Sequence, residues 1–334
     1  KAPEIGKEVA AARRGPLDEH QLDLVRVVDP VSQRTLAFRP DMTAQVGRIA
    51  ATRLAAAPRP LRLSYAGPVI RQKATQLRPE REKMQLGAEL IGSDSVPAAV
   101  EIVNIAIEAL QAAGVTGITI DFTLPDLVDM LAAGPLPLGD AQVEAVRAEL
   151  DAKDAGALAA HGPAAAAYLP LIEATGPFHA AMERLEAFSA RVGGAIDSRI
   201  AGLRAIAKPI GWDITLTLDP TERHGFEFQN WFGFSIFAEG FVGEIGRGGS
   251  YAIARADGAD EPAMGFSLYP DPLIDAGFGG DSPKRLFLPL GHDPARAAEL
   301  RGEGWHTIAA LSEGEDGAAQ RCSHWLDGSE PRAY

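Results

Sequence analysis

Three short stretches of this chain place polar side chains where they could do chemistry. RPDMT at 39–43 sets a carboxylate and a hydroxyl, Asp41 and Thr43, at the entrance to a helical pattern. GPVIR at 67–71 ends a strand pattern on Arg71, and QLGAE at 85–89 turns Gln85, Gly87 and Glu89 to one face of a strand, because strand side chains alternate with period two. Carboxylates, a hydroxyl and an amide suit a ligand ammonium or an imidazole N–H, and a guanidinium suits a carboxylate or phosphate. Brought together, these groups would make an amino-acid pocket. Each also has a plainer job: Asp41 and Thr43 as helix caps, Arg71 as a strand-end ion-pair partner, Gln85 and Glu89 as solvated strand residues. Other chemistries fit poorly. GEIGRGGSY has no GKS or GKT after it and holds Tyr251 where a third dinucleotide-loop glycine belongs. His306, Cys322 and His324 match no common zinc spacing, and no serine sits in a nucleophile elbow. No metal, cofactor or catalytic residue is expected.

The elements that would carry these groups are legible from periodicity. TLAFR at 35–39 alternates like a strand, and Pro40-Asp41 breaks it before a helix with Val46, Ile49, Ala50 and Leu54 on one side and Asp41 as N-cap. Residues 61–71 and 83–91 predict a long hairpin around a basic loop, followed by an amphipathic helix over 95–113 and a strand from Val115 that Asp121 interrupts. An Ala-rich helical insertion spans 126–206, with breaks at Gly134-Pro135, Gly162-Pro163 and Gly176-Pro177. Strands resume at 212–218 and run through FEFQNWFGFSIFAEG and VGEIGRGGSYAI, and PAMGFSLYPDPLI passes from strand to helix. The last fifty residues predict a small α/β region ending in a short RCSHWLDG tail. The expected division is residues 1–280 and 281–334.

With 334 residues, 46% of them hydrophobic, the chain can bury one large core and a smaller one. Its formal charge of -13 argues against broad nucleic-acid binding, although residues 34–83 hold 11 Lys/Arg against 3 Asp/Glu. That basic stretch could be a solvated helix face, an anion cleft or a docking surface. The single cysteine, Cys322, and the lack of a long apolar run lead us to expect a cytoplasmic protein without a membrane span.

At RPDMT, GPVIR and QLGAE the chain resembles class II aminoacyl-tRNA synthetases, specifically the histidyl branch, over most of residues 34–275. The resemblance implies an α+β fold: a class II synthetase-like antiparallel sheet flanked by helices. It also implies that Asp41, Thr43 and Gln85 meet the amino group of histidine, that Glu89 faces its imidazole, and that Arg71 holds a carboxylate or phosphate. HGFEFQNWFGFSIF and GGSY resemble the two histidine-specific signatures, which brings His224, Gln229 and Tyr251 to the same ligand.

The departures are informative. His224 stands where synthetases carry an arginine, and Pro272, in PAMGFSLYPDP, stands where another arginine would clamp ATP. Fixed cations stabilise the charge that develops on phosphate, so their loss should cost several kcal/mol of transition-state stabilisation. About fifty residues follow Pro283, fewer than the roughly 100 of a small anticodon-binding domain. The resemblance is therefore closest to the synthetase-like family of regulatory subunits that work with the short form of ATP phosphoribosyltransferase, with DPVSQRTLAFRPDMTAQVGRIAATRL especially similar. It implies a non-catalytic subunit with histidine as feedback effector and the short catalytic subunit as partner. The assembly would be a homodimer within a hetero-oligomer, with no tRNA. An amino-terminal helix and strand longer than the segment before residue 20 is also expected. The competing reading is a truncated synthetase-like enzyme that activates histidine or another amino acid.

Overall fold

The structure is a computed structural model, and it describes residues 24–70, 80–223, 229–255, 258–278 and 284–334. The chain forms two compact units, Lys1–Ala276 and Gly277–Tyr334. In the first, β1 (Arg26–Val28) and β2 (Thr35–Ala37) pair antiparallel, and α1 (Thr43–Ala51) follows. The hairpin β3 (Leu61–Ile70) and β4 (Glu82–Ile91) leads to α2 (Val96–Ala112) and β5 (Ile118–Thr123). The helical stretch contains α3 (Leu127–Ala132), α4 (Asp140–Asp151), α5 (Ala155–Ala160), α6 (Pro163–Ala166) and α7 (Pro170–Glu173). It continues through the short strand β6 (Gly176–Pro177) into α8 (Phe178–Arg191) and α9 (Asp197–Ala207). Then come β7 (Thr215–Leu218), β8 (Gly233–Ala238), β9 (Gly246–Ala254), β10 (Asp260–Leu268) and α10 (Asp271–Asp275).

Eight of these strands form one sheet in the order β3-β4-β10-β9-β8-β5-β7-β6, antiparallel throughout except for the parallel β5–β7 pair. This is the α+β architecture implied by the sequence resemblance. Paired residues on neighbouring strands point to the same side, so the register sorts the sheet into two faces. One face carries Leu90, Met264, Phe266, Phe234, Ile120 and Phe122, all buried. Helix α2 packs against β4, β9 and β10. On the other face Val46 and Ala50 of α1 pack with Ile91, Ala263, Tyr251 and Ile253. The Asp121 carboxylate does not break its strand: it sits inside β5 and accepts a hydrogen bond from the Thr217 hydroxyl on β7. Burial pushes its pKa up.

The second unit holds β11 (Arg285–Leu288), α11 (Pro294–Gly302), β12 (His306–Ala309), β13 (His324–Asp327) and β14 (Glu330–Ala333). The RCSHWLDG tail, expected only as a short ending, folds with the residues after it into the β13–β14 hairpin. Leu286, Leu288 and Leu326 pack with Ala297 and Leu300 of α11. Among the described residues no helix is long and apolar enough to cross a membrane.

One ion pair fixes α1 on the sheet. Arg59 donates through Nη1 to the Leu54 and Ala57 carbonyls, just past the helix, and pairs through Nε at 2.5 Å with Glu261 at the start of β10. Glu261 is buried, and removing one member of a buried pair strands the other. We predict that Glu261→Ala lowers unfolding stability by about 2 kcal/mol, the usual cost being discounted because Arg59 keeps some solvent access. Denaturant unfolding checks this, and combining it with Arg59→Leu should recover part of the loss.

Candidate functional site

The site is built where the amino end of α1 meets the β3–β4 hairpin. Arg39 ties the turn before the helix to β3, donating from Nε to the Pro68 carbonyl at 2.7 Å, while the Ile70 N–H donates to the Arg39 carbonyl at 3.0 Å. Asp41 was expected as the N-cap, but Met42 takes that place and Asp41 acts from one residue earlier. Its Oδ1 accepts from the Thr43 N–H at 2.7 Å and its Oδ2 from Gln85 Nε2 at 3.2 Å. Asp41 thus both caps the helix and faces the sheet.

Gln85 is fully buried and joins three elements. Its Oε1 accepts from the Met42 N–H at 2.8 Å, one of the donors that a helix start leaves unused. Its Nε2 donates to Asp41 and to Ser267 Oγ on β10, the latter at 2.8 Å. Both N–H donors are therefore committed to protein oxygens. Ser267 in turn hydrogen-bonds the Tyr65 hydroxyl at 2.9 Å, and Tyr65 reaches the Thr43 hydroxyl at 3.2 Å. Burial, then the charges of Glu89 and Asp41, hold the Tyr65 phenol well above its usual range.

Glu89, with only 2% of its surface exposed, accepts a hydrogen bond at 2.6 Å from the Tyr251 hydroxyl on β9. Burial above all, with the Asp41 charge adding to it, pushes its pKa up to about 8 against the opposing hydrogen bonds from Tyr251, Thr43 and Tyr65. The alternative in which Gln85 and Glu89 are solvated strand residues is overturned. On β4 the polar side is the buried one, because α1 and the Arg39–Thr43 turn lie over it, while Met84 on the other side is exposed.

Glycines let the polar groups lie close to the sheet. The register aligns Glu89 with Gly265, Gly249 and Gly233 on β10, β9 and β8, so three successive strands carry no side chain there. A methyl group at Gly265 would overlap Glu89 Oε2, and one at Gly249 would overlap Gln229 Oε1. The carboxyl and the amide therefore lie over adjacent glycines. Among the described residues Gln229 Oε1, a buried acceptor, has no hydrogen-bond partner. An unmet buried acceptor costs about 1–3 kcal/mol, which an N–H donor from a ligand would recover.

Six of the eight residues singled out in the sequence, Asp41, Thr43, Gln85, Glu89, Gln229 and Tyr251, are thus gathered on one sheet face. Arg71 and His224 lie outside the described residues. Tyr65 and Ser267 belong to the same network and were not singled out. Their only signal is register, since Tyr65 and Ser267 both pair with Gly87. Pro272 sits in the first turn of α10, where the preceding Asp271 accepts from the Met84 N–H at 2.8 Å. That helix start offers β4 a carboxylate where a synthetase would offer a cation. Acceptors dominate the described lining, which suits a ligand rich in N–H donors.

The chain is similar to several known proteins. The histidyl-tRNA synthetase family profile matches residues 9–273. An ATP phosphoribosyltransferase regulatory subunit of Rhodospirillum centenum is 45% identical, over 91% of this chain and 79% of that protein. An ATP phosphoribosyltransferase regulatory subunit/histidyl-tRNA synthetase from Bacillus halodurans aligns with a TM-score of 0.68 at 22% identity, covering 89% of this chain and 80% of that one. A chain of an ATP phosphoribosyl transferase complex from Thermotoga maritima aligns at 0.56 and 14% identity, covering 78% and 88%. The last two likenesses speak to fold alone.

The raised Glu89 pKa has a definite sign in stability. The folded value of about 8 exceeds the ordinary 4.5, so between those values the folded state keeps a proton that the unfolded chain releases. Stability from this group is then full below about pH 4.5 and is lost as pH rises towards 8. We predict that Glu89→Gln, which cannot ionise, gains on the wild type by at least about 1.4 kcal/mol between pH 5 and pH 8, the equivalent of one pKa unit. Urea unfolding of both proteins at several pH values measures it, and parallel pH profiles would refute a protonated Glu89.

Proposed function

The chain belongs to the histidyl-tRNA synthetase family and, within it, to the ATP phosphoribosyltransferase regulatory subunits, and from that premise we propose that its pocket binds free histidine to control a partner catalytic subunit. The observation that carries this reading is the buried Glu89 carboxyl, bonded to Tyr251 and set beside the Asp41–Gln85 pair above a row of glycines. Asp41 offers an acceptor to the ligand ammonium. Glu89 and the unmet Gln229 oxygen offer acceptors to imidazole N–H groups. Arg71 and His224 complete the proposed ligand set, with Arg71 opposite the carboxylate.

Control requires no chemistry in this chain. If histidine binds the inhibited assembly more tightly than the active one, it shifts the balance by that affinity ratio, typically about 1–3 kcal/mol. The proposed partner is the short-form catalytic subunit of ATP phosphoribosyltransferase, and the regulatory-subunit name of the 45% identical relative supports that assignment. We place the assembly in the cytoplasm, with this chain as a homodimer inside a hetero-oligomer and without tRNA. Pro272 and Asp271 at the head of α10 support the non-catalytic reading, because neither can neutralise a phosphate.

Co-purification with the short catalytic subunit, followed by transferase activity with and without histidine, is the direct test. In calorimetric titration we expect histidine to bind the wild type, Glu89→Ala to weaken binding by at least about tenfold, or 1.4 kcal/mol, and Asp41→Asn by a similar factor. Histidine-dependent ATP–pyrophosphate exchange should stay at background. Clear exchange would favour an amino-acid-activating enzyme, and equal affinities for all three proteins would remove the pocket.

A further inference from the structure

Beyond the glycine row the register continues onto β5. Gly233 pairs with Thr123 on β5, and beside Thr123 the chain leaves β7 at Asp219, whose N–H donates to the Phe122 carbonyl at 2.9 Å. Residues 219–223 therefore lie at the far end of the row from Glu89. They also lead along the chain towards Gln229, which is itself moored where the Asn230 N–H donates to the Ser250 carbonyl at 2.8 Å.

This segment is held mainly from the helical insertion. The Lys153 ammonium donates to Asp219 Oδ1 at 2.8 Å, to Thr221 Oγ1 at 2.9 Å and to the Leu150 carbonyl at 3.0 Å. Asp219 and Thr221 are buried. The Arg223 N–H donates to Asp151 Oδ1 at 2.9 Å, and its guanidinium pairs with Glu144 at 3.3 Å. From the sheet, the Thr123 hydroxyl donates to the Glu222 carbonyl at 2.7 Å. Glu144 and Asp151 belong to α4, and Lys153 follows its last turn.

The backbone at Lys153 points the same way. With φ of 57° it occupies the left-handed position just past a helix, where glycine is usual because a side chain there is strained. Here the position carries a side chain whose three donors are all engaged, which accounts for a lysine in a glycine's place.

We propose that Lys153 is a positioning residue for the pocket: it fastens α4 to residues 219–223, so that a ligand engaging Gln229 also tightens the helical insertion. The inference rests on the histidine reading given above. It assigns to the insertion a part in sensing that ligand, although α4 carries none of the residues gathered around Glu89.

Hydrogen exchange on the full chain, with and without saturating histidine, tests it. In the wild type histidine should slow exchange in β4 and also in α4. In Lys153→Met the slowing in α4 should disappear while that in β4 persists, and histidine affinity should fall by about fivefold. Lys153→Arg, which restores charge and donors, should recover both. Thr221→Val removes one acceptor of the ammonium and should show a partial form of the same split, which serves if Lys153→Met does not fold. Slowing confined to β4 in the wild type, or α4 slowing unchanged in Lys153→Met, overturns the proposal. No slowing anywhere in the wild type removes the histidine reading, and this inference with it.

Discussion

The Gln85 amide is the constraint on which the rest of the site depends. It lies at 0% exposure between a helix start, a turn carboxylate and a serine on a neighbouring strand, and each of its donors has one acceptor. A buried amide that loses a partner costs about 1–3 kcal/mol, so the three elements hold one another in a single arrangement. Asp41 is thereby set facing the sheet instead of swinging out as an ordinary helix cap. The same bonds spend the amide's N–H groups on protein oxygens, leaving acceptors to dominate the described site.

Such a cluster of acceptors is uncomfortable without a ligand. It includes two carboxyl groups, Asp41 and Glu89, and burial above all, with the Asp41 charge adding to it, leaves Glu89 holding its proton. Tyr251 can donate to Glu89 in either state, which keeps the carboxyl placed whether or not it is ionised. The glycines let the Glu89 carboxyl and the Gln229 amide lie close over β10 and β9, where side chains at Gly265 and Gly249 would overlap them. An N–H-rich ligand therefore meets groups already oriented, and its binding energy is not consumed in arranging them.

Much of this was legible in the sequence because it is periodic. The two-residue alternation in QLGAE assigned Gln85 and Glu89 to one face, and the helical spacing after Asp41 marked the helix that follows the turn. What periodicity cannot give is which side of a strand is covered. The pattern of β4 alone makes its polar side look solvated, and only the packing of Val46 and Ala50 onto Ile91 and Tyr251 buries it. Tyr65 and Ser267 escaped notice for a related reason. They are ordinary strand residues until register brings both opposite Gly87, and register follows from the hairpin and the order of strands, not from local composition. Lys153 gave no signal either, since a lysine after a helix is commonplace and its left-handed backbone has no sequence mark.

The contrast between the two ends of the sheet face bears on how a synthetase-like fold can serve regulation. An activating enzyme needs cations fixed against phosphate before the reaction begins, because charge appears there only in the transition state. At α10 this chain has Asp271 and Pro272, and Asp271 is spent on a β4 N–H. A sensor needs something different, an element whose stability changes when the ligand arrives. The Lys153 cluster joins such an element, the helical insertion, to the segment that leads to Gln229, through a few bonds made to partly buried groups. Bonds of that kind are strong enough to transmit a bias of 1–3 kcal/mol and too few to lock the insertion outright. At α10 the chain thus sets a carboxylate and a proline where a fixed cation would serve ATP, while the Lys153 cluster supplies the fastening through which occupancy can be reported.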